Sequence, residues 1–195
     1  MSRGLGDVYK RQDIHRPPDP RSDSEGDGRR EGSDGSFPVE AKMNRNQIGA
    51  MAVSAATLVA IAGYEGYSSV AYVPVAGDVP TIGWGTTTGV KKGDTIQPTQ
   101  ALQRLYRDAE TAKAGISKCI KVPLSQGELD AYLSLAYNIG AGAFCSSTLV
   151  KKLNRGDYAG ACNEIKRWCY FKGKRLPGLA KRREQEYQTC MKTAK

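Results

Sequence analysis

The sequence predicts an α+β domain, a small irregular β-hairpin lobe joined to a larger helical lobe with a cleft between them. Three observations point there. Short apolar runs broken by glycine occupy residues 66–95; from Pro98 onward the apolar residues recur at helical spacing; and no internal repeat appears. One further helix, over residues 48–63, is expected to pack with the helical lobe.

Each element has its own local reason. Residues 1–42 are rich in Gly, Asp, Arg, Ser and Pro and show no period, so they cannot bury enough surface to offset the entropy of ordering. They are expected to be a disordered leader. The hexapeptide Asp7-Val8-Tyr9-Lys10-Arg11-Gln12 resembles the conceptual translation of a sequencing-library adapter, which would make the leader non-native and put the natural start at Met43. Residues 48–63 are mostly small and apolar, with Leu58, Ile61 and Ala62 at helical spacing and a stop at Gly63 to Gly66. Glu65 is thereby held at a helix end.

Val70, Tyr72 and Val73 read as a strand, Ala76-Gly77-Asp78 as a turn, and residues 81–86 as a second strand with Ile82 and Trp84 on one face. Gly83, Gly85 and Gly89 weaken these strands and permit close backbone approach to a ligand. Beyond Pro98, Leu102, Leu105, Tyr106 and Ala109 form an apolar stripe. Ser125-Gln126-Gly127-Glu128 is a capping box, opening a helix with Leu129, Tyr132, Leu133 and Ala136 inward and a stop at residues 138–142. Ser147 and Asp157 can each cap a shorter helix, the second carrying Ala161, Ile165 and Trp168. Residues 172–177 form a basic loop, and residues 179–191 a last helix with Lys181, Arg182 and Arg183. Basic residues so grouped ordinarily form a solvated face.

Composition removes several function classes. The tail holds 8 Lys/Arg and 9 Asp/Glu of the chain's 29 and 20, so residues 43–195 carry 21 and 11, a net charge of +10. A polyanionic partner is implied, nucleic acid or an acidic bacterial envelope. The chain's single histidine, His15, lies in the tail. The domain therefore cannot run Ser-His or Cys-His catalysis and offers no imidazole to a catalytic zinc; neither metal nor cofactor is expected.

Cys119, Cys145, Cys162, Cys169 and Cys190 form no C-x-x-C pair. They are either buried free thiols or structural disulfides of an oxidising compartment. If bridged, the expected pairs are Cys119–Cys145 around the capping-box helix and Cys162–Cys190 between the last two long helices, with Cys169 free. Cys169 is the rival partner for Cys162, one heptad away. The sixteen residues 48–63 are shorter than the roughly 20 a spanning helix needs. Signal-peptide cleavage there would remove the helix that carries Glu65, so a retained segment is expected, one that could associate transiently with the membrane or serve export.

Carboxylates raised from different elements over one cleft are how glycosidic bonds are cut. One acid, kept protonated in a poorly solvated site, gives a proton to the leaving oxygen, and a polar partner steers the attack. Glu65 follows an apolar helix and is glycine-flanked; Asp78 and Thr81 lie in the hairpin just downstream. Alone, each has an ordinary role, as a helix-end carboxylate, a turn residue and a β-branched strand former. Together they suggest a site.

Tyr64-Glu65-Gly66, Pro80-Thr81-Ile82-Gly83-Trp84-Gly85-Thr86, Tyr137-Asn138-Ile139-Gly140-Ala141-Gly142-Ala143-Phe144 and Gly178-Leu179-Ala180-Lys181-Arg182-Arg183-Glu184 occur in this order. Over roughly residues 56–190 the chain thereby resembles the phage-type lysozymes, endolysin muramidases that cut between N-acetylmuramic acid and N-acetylglucosamine. The resemblance implies a lysozyme-like fold, a peptidoglycan glycan strand as substrate, and inversion at the anomeric carbon. It makes Glu65 the general acid, with Thr81 and an aspartate positioning the attacking water. A monomer is expected, with no nucleic-acid partner, working in the periplasm or cell wall of the bacterial host after export or holin release.

One departure stands out. The family's pattern places eight residues between acid and aspartate, but that count reaches Pro74, and Thr81 comes one residue late. Asp78 is the only acid between Glu65 and Asp94, which makes it the replacement, on a slightly longer hairpin. Two rivals stay open: an inactive lysozyme-fold wall-binding protein, and a basic nucleic-acid-binding module. The second has no helix-turn-helix, zinc or aromatic RNA-binding signature.

Overall fold

The computed structural model describes residues 44–74 and 77–194, and the expectation for residues 1–42 lies outside them. Helix α1 (Ala55–Glu65) begins where the Ser54 side chain accepts the Thr57 N–H at 3.0 Å. The single helix expected over 48–63 is therefore a correction. Its first part is a 3₁₀ turn at Ile48–Ala50 followed by extended chain. Upstream, Asn46 and Leu124 exchange backbone hydrogen bonds of 2.7 and 2.8 Å, and Ile48 and Met51 are buried in the helical core. The segment is a strap over the helical lobe, and the capping serine is what divides it from α1. Among the described residues no helix is long and apolar enough to cross a membrane.

The β lobe is a two-stranded antiparallel ribbon of β1 (Ser68–Tyr72) and β2 (Thr81–Gly83), pairing Ser68 with Gly83 and Tyr72 with Thr81 across an irregularity. The second strand is shorter than expected because the chain turns at Trp84 and Gly85 and Ile82 then bridges Thr86. Gly83 has φ +65°, and a Cβ there would lie 3.0 Å from Ala101 Cβ. Only glycine lets the ribbon sit this close to the next helix. Ala71, Ile82, Val90, Ile96 and Ala101 form the lobe's own small core.

Helix α2 (Pro98–Ser117) crosses from this core to the helical lobe. The expected stripe is half right: Leu105 and Ala109 are buried, whereas Leu102 and Tyr106 are exposed. The buried face is Ala101, Leu105, Ala109 and Ile116, aimed by the small core that Ala101 must enter. Helix α3 (Gln126–Ile139) starts at the expected capping box, with Ser125 and Glu128 each satisfying the other's backbone N–H. It is buried on nearly every side. Leu129, Tyr132, Leu133 and Leu135 are all inaccessible, and each such side chain contributes about 1.5–3 kcal/mol relative to exposure.

Helix α4 (Ala141–Cys145) packs on α2 and α3, and α5 (Thr148–Leu153) packs on α6 (Tyr158–Glu164). The caps at Ser147 and Asp157 are as expected. Helix α4 was not expected, since its Gly-Ala run reads as a loop. Helix α6 ends before Trp168, at a 3₁₀ turn over Ile165–Arg167. The basic loop is in fact a tiny hairpin, β3 (Tyr170–Phe171) against β4 (Lys174–Arg175), turning at Lys172 and Gly173 with φ 47° and 75°. Helix α7 (Pro177–Met191) packs its length along α3.

Disulfides join Cys119 to Cys145 and Cys162 to Cys190, with Cα separations of 5.6 and 5.7 Å, and Cys169 is a buried free thiol. The expected pairing holds, and the rival Cys162–Cys169 does not. Cys162–Cys190 ties α6 to α7. Replacing both by alanine should lower stability by about 2–4 kcal/mol, chiefly by releasing the unfolded chain. Urea titration of the double variant measures this; an unchanged midpoint would mean the bridge adds nothing.

Candidate active site

Glu65 is the last residue of α1, and Gly66 with φ +69° ends the helix there. Thr57, Ile61 and Glu65 are its buried residues, an i, i+4, i+8 row that turns the carboxylate inward. Exposure of Glu65 is 0 %. Arg182 of α7 donates from Nη1 to Glu65 Oε1 at 3.2 Å. The same guanidinium donates from Nε to Glu186 Oε1 (3.2 Å) and from Nη2 to the Ser134 carbonyl of α3 (3.1 Å), and it stacks 4.4 Å from the Tyr64 ring centroid.

Glu186 Oε1 also accepts from Ser134 Oγ at 2.7 Å and from Arg183 Nη2 at 2.9 Å, while Arg183 Nε lies 2.8 Å from Glu186 Oε2. Two guanidinium groups and two carboxyl groups thus share one hydrogen-bonded cluster out of water. The desolvation is real. Burial lowers the Arg183 guanidinium to about 10, with Glu186 opposing the shift, so it stays charged at neutral pH and relies on its partner. Burial, and then the charge of Glu186, raise the Tyr64 hydroxyl above its ordinary value. Taking Arg182 and Arg183 as a solvated face is therefore a correction for those two; Lys181 is exposed. The missed signal was Glu186, three and four residues on, the right spacing to pair both on one helix face.

Asp78 and Thr81 stand on the hairpin. Asp78 is half-buried and its Oδ1 accepts the Val79 N–H at 2.9 Å, bracing its own turn. Thr81 opens β2, is buried, and its hydroxyl donates to the Val79 carbonyl at 3.3 Å. Both therefore bond to Val79, one residue beyond Asp78, so the tip is a single local unit. No cluster of His, Cys, Asp or Glu among the described residues could hold a metal ion.

Between the lobes runs a cleft of about 450 Å³, walled by Gly85, Thr87 and Thr88 of the β lobe, Asp108 of α2, and Tyr137 and Asn138 of α3. Glu65, Asp78 and Thr81 do not line it. A chain of contacts links the two regions. The Tyr137 hydroxyl makes a long hydrogen bond of 3.4 Å to the Trp84 carbonyl, and the Trp84 ring stands 5.0 Å from that of Tyr67, two residues past Glu65. Thr86 donates to Asp108 at 2.6 Å, pinning the β lobe to α2 at the cleft's other wall.

Residues 62–186 match the phage lysozyme family. The chain belongs to that family. It is a lysozyme, a glycoside hydrolase acting on bacterial peptidoglycan in host-cell lysis. Among its relatives, an endolysin of Acyrthosiphon pisum secondary endosymbiont phage 1 is 46% identical over 140 residues, covering 70% of this chain and 95% of its own. A SAR-endolysin of Enterobacteria phage P21 is 34% identical over 146 residues, covering 73% and 88%. In three dimensions the lysozyme is similar to the endolysin from Escherichia coli O157:H7 phage FAHEc1, with TM-score 0.65, 38% identity, and coverage of 73% of this chain and 95% of that one. It is similar as well to a P22 lysozyme mutant, with TM-score 0.65, 31% identity, and coverage of 72% and 99%.

Proposed function

We propose that Glu65 is the general acid and that Asp78 and Thr81 hold the attacking water. Glu65 transfers its proton to the glycosidic oxygen as the bond to the anomeric carbon breaks. Water then adds from the opposite face with inversion, its proton passing to Asp78, while the Thr81 hydroxyl fixes its position. Arg182, 3.2 Å from Glu65, offsets the charge left on Glu65 after transfer. The observation that carries the assignment is an inaccessible carboxylate at a helix end, held from behind by a guanidinium.

The finer setting follows from the same reading. The enzyme works as a monomer in the periplasm or cell wall, reached by export or holin release. Any transient membrane contact of residues 48–63 falls to exposed Val59, because Ile48, Met51, Val53 and Ile61 are buried in the folded domain. A second reading, a wall-glycan binder without activity, is favoured by Pro74 standing where the family's aspartate is expected.

Asp78→Asn and Thr81→Ala separate the readings. Each should lower the rate of clearing of outer-membrane-permeabilised cells by roughly 10²–10⁴-fold with little change in melting temperature. Near-full activity of Asp78→Asn beside a dead Thr81→Ala would remove the second carboxylate from the mechanism. Absence of clearing by the wild type would favour the glycan binder.

A further inference from the structure

A guanidinium that donates to Glu65 at 3.2 Å favours the ionised carboxylate, yet a general acid must hold its proton until transfer. Something has to moderate Arg182. Glu186 is placed to do so: its Oε1 accepts from Arg182 Nε at 3.2 Å, from Arg183 Nη2 at 2.9 Å and from Ser134 Oγ at 2.7 Å. It follows Arg182 by four residues and Arg183 by three, so the three share one face of α7. All three are buried, and water screens such charges little. Arg183 in turn feels the charges of Glu186, Arg182 and Glu65. The other groups around Glu65 add less. Tyr64 beside it on α1 stays neutral, its hydroxyl raised by burial and then by Glu186. Asp130 of α3 shares a small pocket with Tyr64, Ser134 and Glu186, but its Oδ1 accepts from Ser54, Thr57 and Gln126. Asp78 of the hairpin is bonded to its own turn.

We propose that Glu186 is a positioning residue for the reaction: by drawing Arg182 and Arg183 to itself, it keeps their combined charge from removing the Glu65 proton before the glycosidic oxygen receives it. The count of charges carries the argument. While Glu65 is protonated the cluster holds two cations, Arg182 and Arg183, against one anion, Glu186. When the proton leaves for the glycosidic oxygen, Glu65 becomes the second anion and the cluster is balanced. The buried charges thus complement the state that follows transfer, with a single excess cation beforehand. Without Glu186 the excess would be two, and the ionised form of Glu65 would be favoured at rest. Glu186 does not line the inter-lobe cleft, so it acts through the guanidinium groups. The inference rests on the lysozyme reading with Glu65 as the acid, and adds which residue governs how readily that acid ionises.

Rate against pH tests it, because the alkaline limb of kcat/KM reports ionisation of the general acid. Initial rates of reducing-end release from purified peptidoglycan are measured at low substrate and fixed ionic strength, below the pH of about 10 at which Arg183 loses its charge. Glu186→Gln keeps an oxygen for its donors but leaves two cations and no anion, so its alkaline limb should move to lower pH by about one unit or more. Arg183→Met leaves one cation against one anion, and its limb should move to higher pH by a comparable amount. The double variant again has one excess cation and should return to within about half a unit of the wild type. Glu184→Gln, on the exposed side of α7, alters net charge as Glu186→Gln does and should leave the limb in place. A limb that Glu186→Gln does not lower, a shift that Glu184→Gln shares, or a double variant that keeps the single variant's shift overturns the proposal. Thermal melts show which variants fold. Should Glu186→Gln not fold, Arg183→Met decides, and a limb it leaves unmoved or lowers overturns the proposal; failure of both to fold overturns it too, because Glu186 then serves the fold. An inactive wild type, or a fully active Glu65→Gln, is a distinct result that removes the acid assignment itself and the proposal with it.

Discussion

Glu65→Gln is expected to abolish lysis, with clearing of permeabilised cells reduced by about 10²–10⁴-fold or more, while the protein stays folded. The amide keeps the shape of the acid and an oxygen for Arg182 at the 3.2 Å position, but it has no proton to give. Structure around it should persist because Arg182 is also held by Glu186 and the Ser134 carbonyl. Circular dichroism and a thermal melt establish that the variant is folded; turbidity then reads the chemistry alone. Clearing at the wild-type rate would remove Glu65 from the mechanism.

The largest loss of stability should come from Arg182→Met. This guanidinium is 3 % exposed and touches Glu65, Glu186, Ser134 and the Tyr64 ring. Methionine fills much of the volume but removes the donor that Glu65 and Glu186 share, leaving Arg183 as the cation beside Glu186. Removing one member of a buried ionic set costs about 3–5 kcal/mol, mostly from the charge left uncompensated. Urea titration should show that loss. Adding Glu65→Gln to the same chain should restore part of it, since the acid that lost the Arg182 donor is then a neutral amide while Glu186 keeps Arg183 as its partner. A single variant as stable as wild type would mean the network is neutral in energy.

Much of the fold was legible because its helix starts are chemical. Ser125 with Glu128, Ser147 and Asp157 each close a hydrogen bond that only a capping side chain can make, and each helix begins where its cap stands. The turn at Gly66 was likewise foreseeable from residue type, whereas Gly83, expected to admit a ligand, instead lies against Ala101. What failed did so for tertiary reasons. Ser54 was read as an interior helix residue, yet its hydroxyl both caps α1 and bonds Asp130 Oδ1 at 2.9 Å, a partner 76 positions away. Leu102 and Tyr106 fit the helical period as well as Ala101 does, and only the position of the β lobe decides which face is covered.

The site divides in the same way. Glu65 could be singled out from a helix end between glycines, and Thr81 and Asp78 from their hairpin. The arginines behind Glu65 were missed because a run of cations is usually solvated, and the local hint, Glu186 at the spacing that pairs both, does not by itself say that α7 packs against α3.

The central claim is that this chain hydrolyses the bond on the reducing side of N-acetylmuramic acid, and muropeptide analysis tests it most directly. Purified peptidoglycan digested by the wild-type protein is separated and the new chain ends identified by mass. Reducing-end N-acetylmuramic acid, absent from the Glu65→Gln digest, is the predicted result. Anhydromuramic ends would contradict it by making the enzyme a transglycosylase that uses no water, and an undigested sacculus would leave a protein that binds the wall without cutting it.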